Sequence, residues 1–466
     1  MLRPFLLPDH GVTTVTEYRE RGGGEGLARA LHLGPGAAIK EITLSGLRGR
    51  GGGGFPTGRK WGAIREAAGG GECYLAVNGA EGEPGTFKDR PIMRRNPYQV
   101  VEGAAIAAFC VGARQGFLCV KGSFHQEIEA LERALSEMSD AGLAGEVPLT
   151  LVRGPDEYLF GEEKGLLQVI EGDAPLPRLF PPYIHGLFAT SAQMGWSARP
   201  RSAAASDDAP PSANPTLVNN VETLANAPLI LARGPEWYRS LGTAESPGVV
   251  VASVVGDVAA PGFAEVELGM TLRQVIDLVG GGAVEGRSIK AVFSGVANAV
   301  VTADQLDVEL SYEGFRAIGS GMGACGFIVY DDTADMVGVA REFSRFLYVE
   351  SCGQCPPCKF GSGEVTAYLE RIERGEGTDR DIEVIGRRLE QVTDQNRCFL
   401  GEEEQIVISS IMRAFPEEFV AHLEYAWPHE REYLIPLIVD MDDKGGVVYA
   451  ERHKLKRPDW TYGDAR

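Results

Sequence analysis

Ser351-Cys352-Gly353-Gln354-Cys355-Pro356-Pro357-Cys358 sets three thiols at C-x-x-C-x-x-C spacing, and a fourth, Cys398, follows at a distance. Each two-residue gap turns the chain back toward one centre, so three thiolates at this spacing can cap one face of a small iron-sulfur cube. A remote fourth cysteine can then close the last iron. Pro356 and Pro357 fix φ through the turn and hold the loop open before a cluster is in place. Zinc bound by the same four thiolates is the rival reading, although zinc sites more often come as two separated C-x-x-C pairs. A disulfide is the third and weakest. A cluster that carries electrons also needs a donor elsewhere in the chain.

The candidate donor seat is Leu44-Ser45-Gly46-Leu47-Arg48-Gly49-Arg50-Gly51-Gly52-Gly53-Gly54-Phe55-Pro56-Thr57-Gly58-Arg59-Lys60-Trp61. It lacks the G-x-G-x-x-G dinucleotide pattern, and a glycine run by itself is commonly a flexible loop. Here Arg48, Arg50 and Lys60 bring positive charge to backbone that an anion can approach without Cβ interference, which points to a phosphate or flavin seat.

These residues need a frame. Tyr74 to Val77 reads as a buried strand running into Asn78-Gly79-Ala80-Glu81-Gly82-Glu83, and polar residues at the C-terminal end of an α/β strand stand where ligands bind. Val100 to Val111 reads as a helix, Gly116 to Val120 as a strand, His125 to Met138 as an amphipathic helix and Val147 to Val152 as another strand. Such alternation predicts a mostly parallel sheet covered by helices. Glu162 and Glu163 open a further helix, as capping acids or as ligands of ribose or amide groups. Ser202 to Pro215 is composed like a mobile segment. From Gly248 a small α+β module of about 80 residues is predicted. Helices follow, with Met336, Ala340, Phe343 and Leu347 on one stripe and Ile382, Ile385, Leu389 and Val392 on another, and Thr378 with Asp381 as a capping pair. Val447-Val448-Tyr449 looks like part of a short hairpin, and Arg452-His453-Lys454-Leu455-Lys456-Arg457 reads as a solvated basic terminus in preference to a docking element.

The bulk properties narrow the function. With 466 residues the chain has room for several domains, and its formal charge of -20 argues against nucleic acid or an anionic membrane as main partner. The apolar run at the N-terminus is too short for a signal peptide and no later run is long enough to span a bilayer, so a soluble, cytoplasmic chain without direct membrane insertion is expected. Cys73, Cys110, Cys119 and Cys325 read as buried free thiols, in keeping with a reducing compartment.

GRGGGGFPTGRKW, NGAEGEPGTFKDR, YLFGEE, NNVETLAN and ESCGQCPPC with a later CFLG, in this order, resemble the motifs of the flavin-bearing, NADH-binding subunit of respiratory complex I. The same unit recurs in soluble hydrogenases and formate dehydrogenases that use NAD. The resemblance implies an α/β flavin domain with a mostly parallel sheet over residues 1–240. A ubiquitin-like β-grasp domain would follow over 241–330, then a helical bundle holding a [4Fe-4S] cluster over 331–425; residues 426–466, beyond the resemblance, are expected to form a C-terminal tail whose hairpin is a candidate docking element. It implies that Gly49, Gly51, Lys60, Asn78, Glu81, Tyr158, Gly161, Glu162, Asn219, Asn220 and Thr223 surround FMN. Phe55, Glu83, Glu163 and Tyr183 would face the dinucleotide, and Cys352, Cys355, Cys358 and Cys398 would hold the cluster.

The implied activity is that of an NADH dehydrogenase, an NADH:acceptor oxidoreductase subunit that oxidises NADH or, in reverse, reduces NAD. A hydride carries two electrons and a cluster accepts one, and FMN bridges that mismatch without a catalytic side chain acting as nucleophile or base. Partners would be a thioredoxin-like [2Fe-2S] subunit and a ferredoxin-like or catalytic subunit in a larger complex. Ala80, Phe160 and Lys164 stand where the family usually has Asp, Cys and Thr. Phe180, Tyr183 and Ala63 replace Lys, Phe and an aromatic where the dinucleotide is gripped. These changes open an alternative, an FMN and [4Fe-4S] relay or assembly module with a weakened nicotinamide site, fed by a protein partner. A zinc-bearing ligand scaffold is the non-redox reading.

Overall fold

The charge-free run Tyr74-Leu75-Ala76-Val77 is fully buried and belongs to the strand β1 (Tyr74–Gly79). Around it stand β2 (Gln115–Lys121), β3 (Leu149–Gly154) and β4 (Thr216–Asn220), in the order β3-β2-β1-β4. All the pairings are parallel, with Tyr74 opposite Gln115 on one side and Thr216 on the other. Near-continuous apolar strands of this kind require cover on both faces. The computed structural model describes residues 4–191, 212–424, 431–442 and 446–463. It divides into two compact units, Met1–Glu81 with Asp89–Val250, and Gly82–Lys88 with Val251–Arg466. Most of the segment read as mobile, 202–211, lies outside the described residues, and 212–215 lead straight into β4.

In the first unit the helix Pro97–Val111 packs against the helix Val221–Arg233. Gly103 allows the close approach, since a Cβ there would stand 2.1 Å from the Leu224 carbonyl oxygen. Two buried carboxylates pin the layer. Glu102 accepts from Tyr18 Oη at 2.5 Å and from the amides of Gly24 and Leu27 at 2.8 Å. Glu127 accepts from Arg90 Nε and Arg94 Nε, both at 2.7 Å. A buried charge is tolerated only when it is bonded in this way. The third strand begins two residues later than its sequence pattern suggested, because Pro148 has no N–H to give and serves through its carbonyl, which accepts from Gly116 N at 2.9 Å.

The second unit holds a five-stranded mixed sheet in the order β6-β5-β9-β7-β8, made from β5 (Val249–Gly256), β6 (Gly262–Glu267), β7 (Ile289–Ser294), β8 (Val301–Thr302) and β9 (Gly326–Asp331). The helix Leu272–Gly280 joins this sheet with a full capping box between Thr271 and Gln274, which gives the α+β module expected. Helices Met336–Glu350, Pro356–Glu373, Asp379–Gln391 and Leu400–Ala414 form the bundle, and the Thr378–Asp381 capping box is present. Met336, Ala340, Phe343, Leu347, Ile385, Leu389 and Val392 are all buried on it. Beyond it β10 (Ile438–Met441) pairs antiparallel with β11 (Val447–Tyr449), the hairpin anticipated.

The basic segment after the hairpin departs from expectation. Residues Glu451–Leu455 form a 3-10 turn, and His453 and Lys456 are buried against Glu350 instead of solvated. Burial alone would raise the Glu350 carboxyl, but the His453 hydrogen bond and the Lys456 charge bring it down to about 2. Sequence periodicity cannot show a partner about a hundred residues away.

Glu404 behaves differently from these paired acids. It is wholly buried, its Oε1 accepts from Ser344 Oγ at 2.6 Å, and its Oε2 has no hydrogen-bond partner among the described residues. Burial pushes its carboxyl up to about 8. Between about pH 5 and 8 the folded chain therefore keeps a proton that the unfolded chain has released, so stability falls as pH rises through that window. Glu404→Gln is expected to flatten this fall, raising Tm by about 2–4 °C at pH 8.5 and changing it little at pH 5.5 in thermal unfolding followed by circular dichroism. Parallel pH profiles for the two proteins would contradict it.

Candidate functional site

β1 and β4 are neighbours, yet one is followed by β2 on one side while the other stands at the opposite edge, so their C-terminal ends flank a topological switch point. Their register sets Val77 against Asn219 and Asn78 against Asn220. Three asparagines from two strand ends thus meet at the edge where α/β sheets bind ligands. Each is fixed. Asn78 Nδ2 donates to the Gly161 carbonyl at 2.7 Å while its Oδ1 accepts from Ala80 N at 3.1 Å. Asn219 Oδ1 accepts from the buried Trp61 Nε1 at 2.7 Å. Asn220 Nδ2 donates to Asp89 Oδ2 at 2.7 Å, and its Oδ1 caps the following helix through Glu222 N at 3.0 Å.

Asp89 and Trp61 are the positioning groups to which sequence reasoning gave no role, although both stand inside the quoted motifs. Asp89 also accepts from Glu222 N at 3.3 Å and donates its own amide to Glu81 Oε1 at 3.1 Å, so Glu81, Asp89, Asn220 and Glu222 form one chain of bonds. The signal that could have found Asp89 is its place at the start of the helix Asp89–Arg95, where a carboxylate can bond both its own loop and a neighbouring one.

The glycine-rich loop is tied off at its base and is no floppy linker. Arg48 bridges Pro56, Gly49 N donates to the Phe55 carbonyl and Thr57 N to the Leu47 carbonyl, both at 2.9 Å. Arg50 N donates to Thr223 Oγ1 at 2.8 Å, which pulls the loop onto the Asn219-Asn220 strand end. Gly51 lies over Asn220, where an added Cβ would come 3.1 Å from the asparagine Cβ. The charges divide in a way the sequence did not predict. The Arg50 guanidinium is buried, donating to Tyr238 Oη at 3.0 Å and the Pro247 carbonyl at 3.1 Å, and Arg48 Nε donates to the Gly54 carbonyl at 2.7 Å. Both brace the loop. Lys60 remains as the half-exposed cation, 3.3 Å from Glu163.

Tyr158 and Gly161 lie in the 3-10 turn Tyr158–Gly161, and Glu162 caps the helix Glu163–Ile170 by accepting from Lys164 N and Gly165 N at 2.9 Å. Burial outweighs the nearby Lys164 and raises the Glu162 carboxyl to about 7, so it takes up or releases a proton near neutrality. Of the residues expected at the dinucleotide, Phe55 and Tyr183 are 49% and 56% exposed. Arg59 stands 5.7 Å from the Phe55 ring centroid. Glu83 belongs to the second unit, where its Oε1 accepts from Val296 N at 2.7 Å. Taken together, the Gly49 loop, Lys60, the three asparagines, Glu81 and the Glu162 turn offer amide donors, one cation and a flat polar edge. That is the donor set a phosphate-bearing polar ring system such as FMN requires.

The cysteines form the other site, within the second unit. Cys355 is the N-cap of the helix Pro356–Glu373 and Cys358 lies in its first turn, while Cys398 stands just before the helix Leu400–Ala414. All four cysteines line one cleft together with Ser351, Asn396, Arg397, Leu400 and Gly401. Ser351 Oγ lies 3.4 Å from Cys358 Sγ, and Gln354 Nε2 donates to Cys352 Sγ at 3.5 Å. Burial pushes the Cys358 thiol up to about 11, so ligation must displace its proton. Tetrahedral zinc would draw its sulfurs to about 3.8 Å from one another. Among the described residues no three His, Cys, Asp or Glu side chains are grouped closely enough to hold a single metal ion, and the four cysteines share the lining of one cleft. The other cysteines, Cys73, Cys110, Cys119 and Cys325, are buried and form no disulfide.

The family described as the Nuo51 FMN-binding domain matches residues 42–229, the SLBB domain residues 251–292, and the NADH-ubiquinone oxidoreductase-F iron-sulfur binding region residues 338–422. The NADH-quinone oxidoreductase F 2 subunit of Rhizobium meliloti (strain 1021) is 36% identical over 437 residues, covering 91% of this chain and 97% of the relative. The HndC subunit of the NADP-reducing hydrogenase of Solidesulfovibrio fructosivorans is 35% identical over 421 residues, covering 88% and 81%. One chain of an NAD+-reducing [NiFe]-hydrogenase crystal structure superposes with a TM-score of 0.76 at 30% identity, covering 90% of this chain and 68% of that one. Among the described residues no helix is long and apolar enough to cross a membrane. Matched along nearly its whole length at this identity, the chain belongs to the family of NADH-quinone oxidoreductase F subunits, which carry an FMN-binding domain and a [4Fe-4S] region.

Proposed function

We propose that this chain is the electron-entry subunit of a cytoplasmic complex, taking electrons from NADH and passing them one at a time to its cluster and onward. The observation that carries the reading is the pairing of two sites in one chain. One is the asparagine edge at the end of β1 and β4, closed by the Gly49 loop, and the other is the four-cysteine cleft. Bound FMN supplies the exchange between two-electron and one-electron chemistry. The chain's own residues bind and orient. Lys60 and the loop amides would take the phosphate, and Asn78, Asn219 and Asn220 the polar edge of the ring, with Glu81, Tyr158, Gly161, Glu162, Thr223 and Gly51 completing the wall. Phe55, Glu83, Glu163 and Tyr183 would meet the dinucleotide. No side chain is required as nucleophile or general base. The cysteines exchange thiol protons for iron.

The domain boundaries that suit this division of labour are 1–240, 241–330, 331–425 and 426–466. The hand-over partners would be iron-sulfur proteins, one thioredoxin-like with a [2Fe-2S] centre and one ferredoxin-like or catalytic. NADH as donor is supported by family membership, and the half-exposed positions of Phe55 and Tyr183 leave a ring free to stack on a nicotinamide.

Two measurements test this. Anaerobic addition of NADH to the purified holoprotein is expected to bleach the flavin band and then raise the signal of a reduced cluster. A flavin that stays oxidised in NADH and NADPH but is reduced by a protein donor would establish the relay reading instead. Asp89→Asn removes the charge behind the Asn220 and Glu222 bonds and should weaken FMN retention about tenfold, equivalent to about 1.4 kcal/mol. Flavin fluorescence released on dilution reads this directly, and retention equal to wild type would take Asp89 out of the site.

A further inference from the structure

The basic segment after the hairpin packs on the frame of the three-cysteine loop. Helix Met336–Glu350 ends two residues before Cys352, and its last residue, Glu350, is buried. Lys456 Nζ bonds both Glu350 oxygens, at 2.7 and 2.8 Å, and His453 Nε2 lies 2.8 Å from Oε1. Lys456 and Glu350 side chains are each 3% exposed, so this pair is shielded from salt and water. A second tie lies beside it. Lys359, the residue after Cys358, donates its Nζ to the carbonyls of Tyr348 at 2.9 Å, Ser351 at 2.8 Å and Pro458 at 2.6 Å. One ammonium thus joins the end of the first helix, the ligand loop and the tail. Arg345 Nη2 adds bonds to the carbonyls of Lys454 at 2.6 Å and Lys456 at 3.2 Å. The segment is folded back on itself, with Arg457 N donating to the Thr461 carbonyl at 2.8 Å and Gly463 N to the Leu455 carbonyl at 2.9 Å.

From these contacts we infer that residues 451–463 are a clamp on the cluster site, with Lys456 as a positioning residue that neutralises Glu350 and so sets the potential of the centre held by Cys352, Cys355 and Cys358. This rests on the four-cysteine cleft holding an iron-sulfur cluster. The physical argument is electrostatic. A reduced cluster carries one more negative charge than an oxidised one, and an unneutralised carboxylate buried two residues from a ligand would oppose that charge in a low-dielectric setting. Lys456 cancels it, and the Lys359 ties hold the loop at fixed distance from both.

The test is a redox titration of the purified holoprotein followed by electron paramagnetic resonance, with iron release to a chelator measured beside it. Lys456→Met removes the ammonium from Glu350 and leaves the His453 bond in place. It is expected to lower the reduced-to-oxidised ratio at a fixed potential about tenfold, a shift of about 59 mV for one electron. Glu350→Gln leaves the ammonium in excess and should shift the ratio the other way, while Lys456→Arg and the double variant Glu350→Gln/Lys456→Met should stay near wild type. Deletion after Ala450 should release iron several times faster than wild type. Shifts of the same sign in both single variants would mark general loosening and overturn the inference, as would unchanged potentials and iron release. Glu350→Gln, which removes charge without removing volume, keeps the test decisive if Lys456→Met does not fold. A wild-type protein with no iron and no cluster signal would overturn the cluster reading and the clamp together, whereas a normal wild-type signal with unshifted variants would overturn the clamp alone.

Discussion

The site in the first unit depends on one constraint, that β1 and β4 run parallel and in register with nothing between them. Parallel pairing sends both C-termini to the same edge, and the register from Tyr74–Thr216 to Asn78–Asn220 delivers the asparagines side by side. Because the chain departs from that edge in different directions, a crevice opens there without any side chain having to be moved aside. Everything else at the site is closure of that crevice. The Arg50 amide on Thr223 draws in the glycine loop, Trp61 and Asp89 fix the amide groups, and the Gly161 carbonyl takes the third asparagine. A one-residue slip of β4 would turn each of Asn219 and Asn220 to the other face of the sheet and break the contacts they make.

The strand ends and the cysteines were legible because they are local facts. Apolar runs with polar C-terminal ends name sheet edges, and a two-residue cysteine spacing names a turn, whatever surrounds them. The loop charges were not legible in the same way. Arg48, Arg50 and Lys60 look alike within one glycine-rich stretch, yet Arg50 reaches Tyr238 and Pro247 nearly two hundred residues on, Arg48 braces the Gly54 carbonyl and Lys60 pairs with Glu163. The same limit applies to the tail. Lys456 reads as one more solvated cation until Glu350 is known to be buried beside it. Composition reports that charges exist, and only the fold reports which of them are paired.

Two of the departures from the resembling family are linked by packing. Ala80 and Phe160 stand where an Asp and a Cys are usual, and both belong to one buried apolar cluster with Tyr74, Phe117, Leu166 and Val218. Phe160 fills the space over Gly154, where a Cβ would come 2.2 Å from the ring. Losing a carboxylate on one loop and gaining a ring on the other keeps the volume filled and removes a charge that a drier cluster could not solvate. The two positions thus share one apolar cluster, while Asn78 keeps its bond to the Gly161 carbonyl.

The acidic chain buries several carboxylates, and how each is satisfied explains where negative charge is allowed. Glu102 is held by the Tyr18 hydroxyl and two backbone amides, and Glu127 by two arginines, as structural anchors. Near the cysteines the solution differs. Glu350 is matched by Lys456 and His453, and Glu404, held only by the neutral Ser344 hydroxyl, keeps its proton up to about pH 8. Ser344 also lies 2.9 Å from Thr366, whose hydroxyl bonds the Ser362 carbonyl, and Ser362 in turn bonds the Cys358 carbonyl, so Glu404 and the ligand loop share one polar chain. A centre that must accept an electron cannot sit among uncompensated anions without its reduced form being penalised. The bundle meets that condition twice by different means, once by an ion pair closed from the tail and once by leaving a carboxyl with too few donors to ionise. These two buried carboxyls are thus neutralised by packing, in a chain whose overall charge would by itself make electron entry harder.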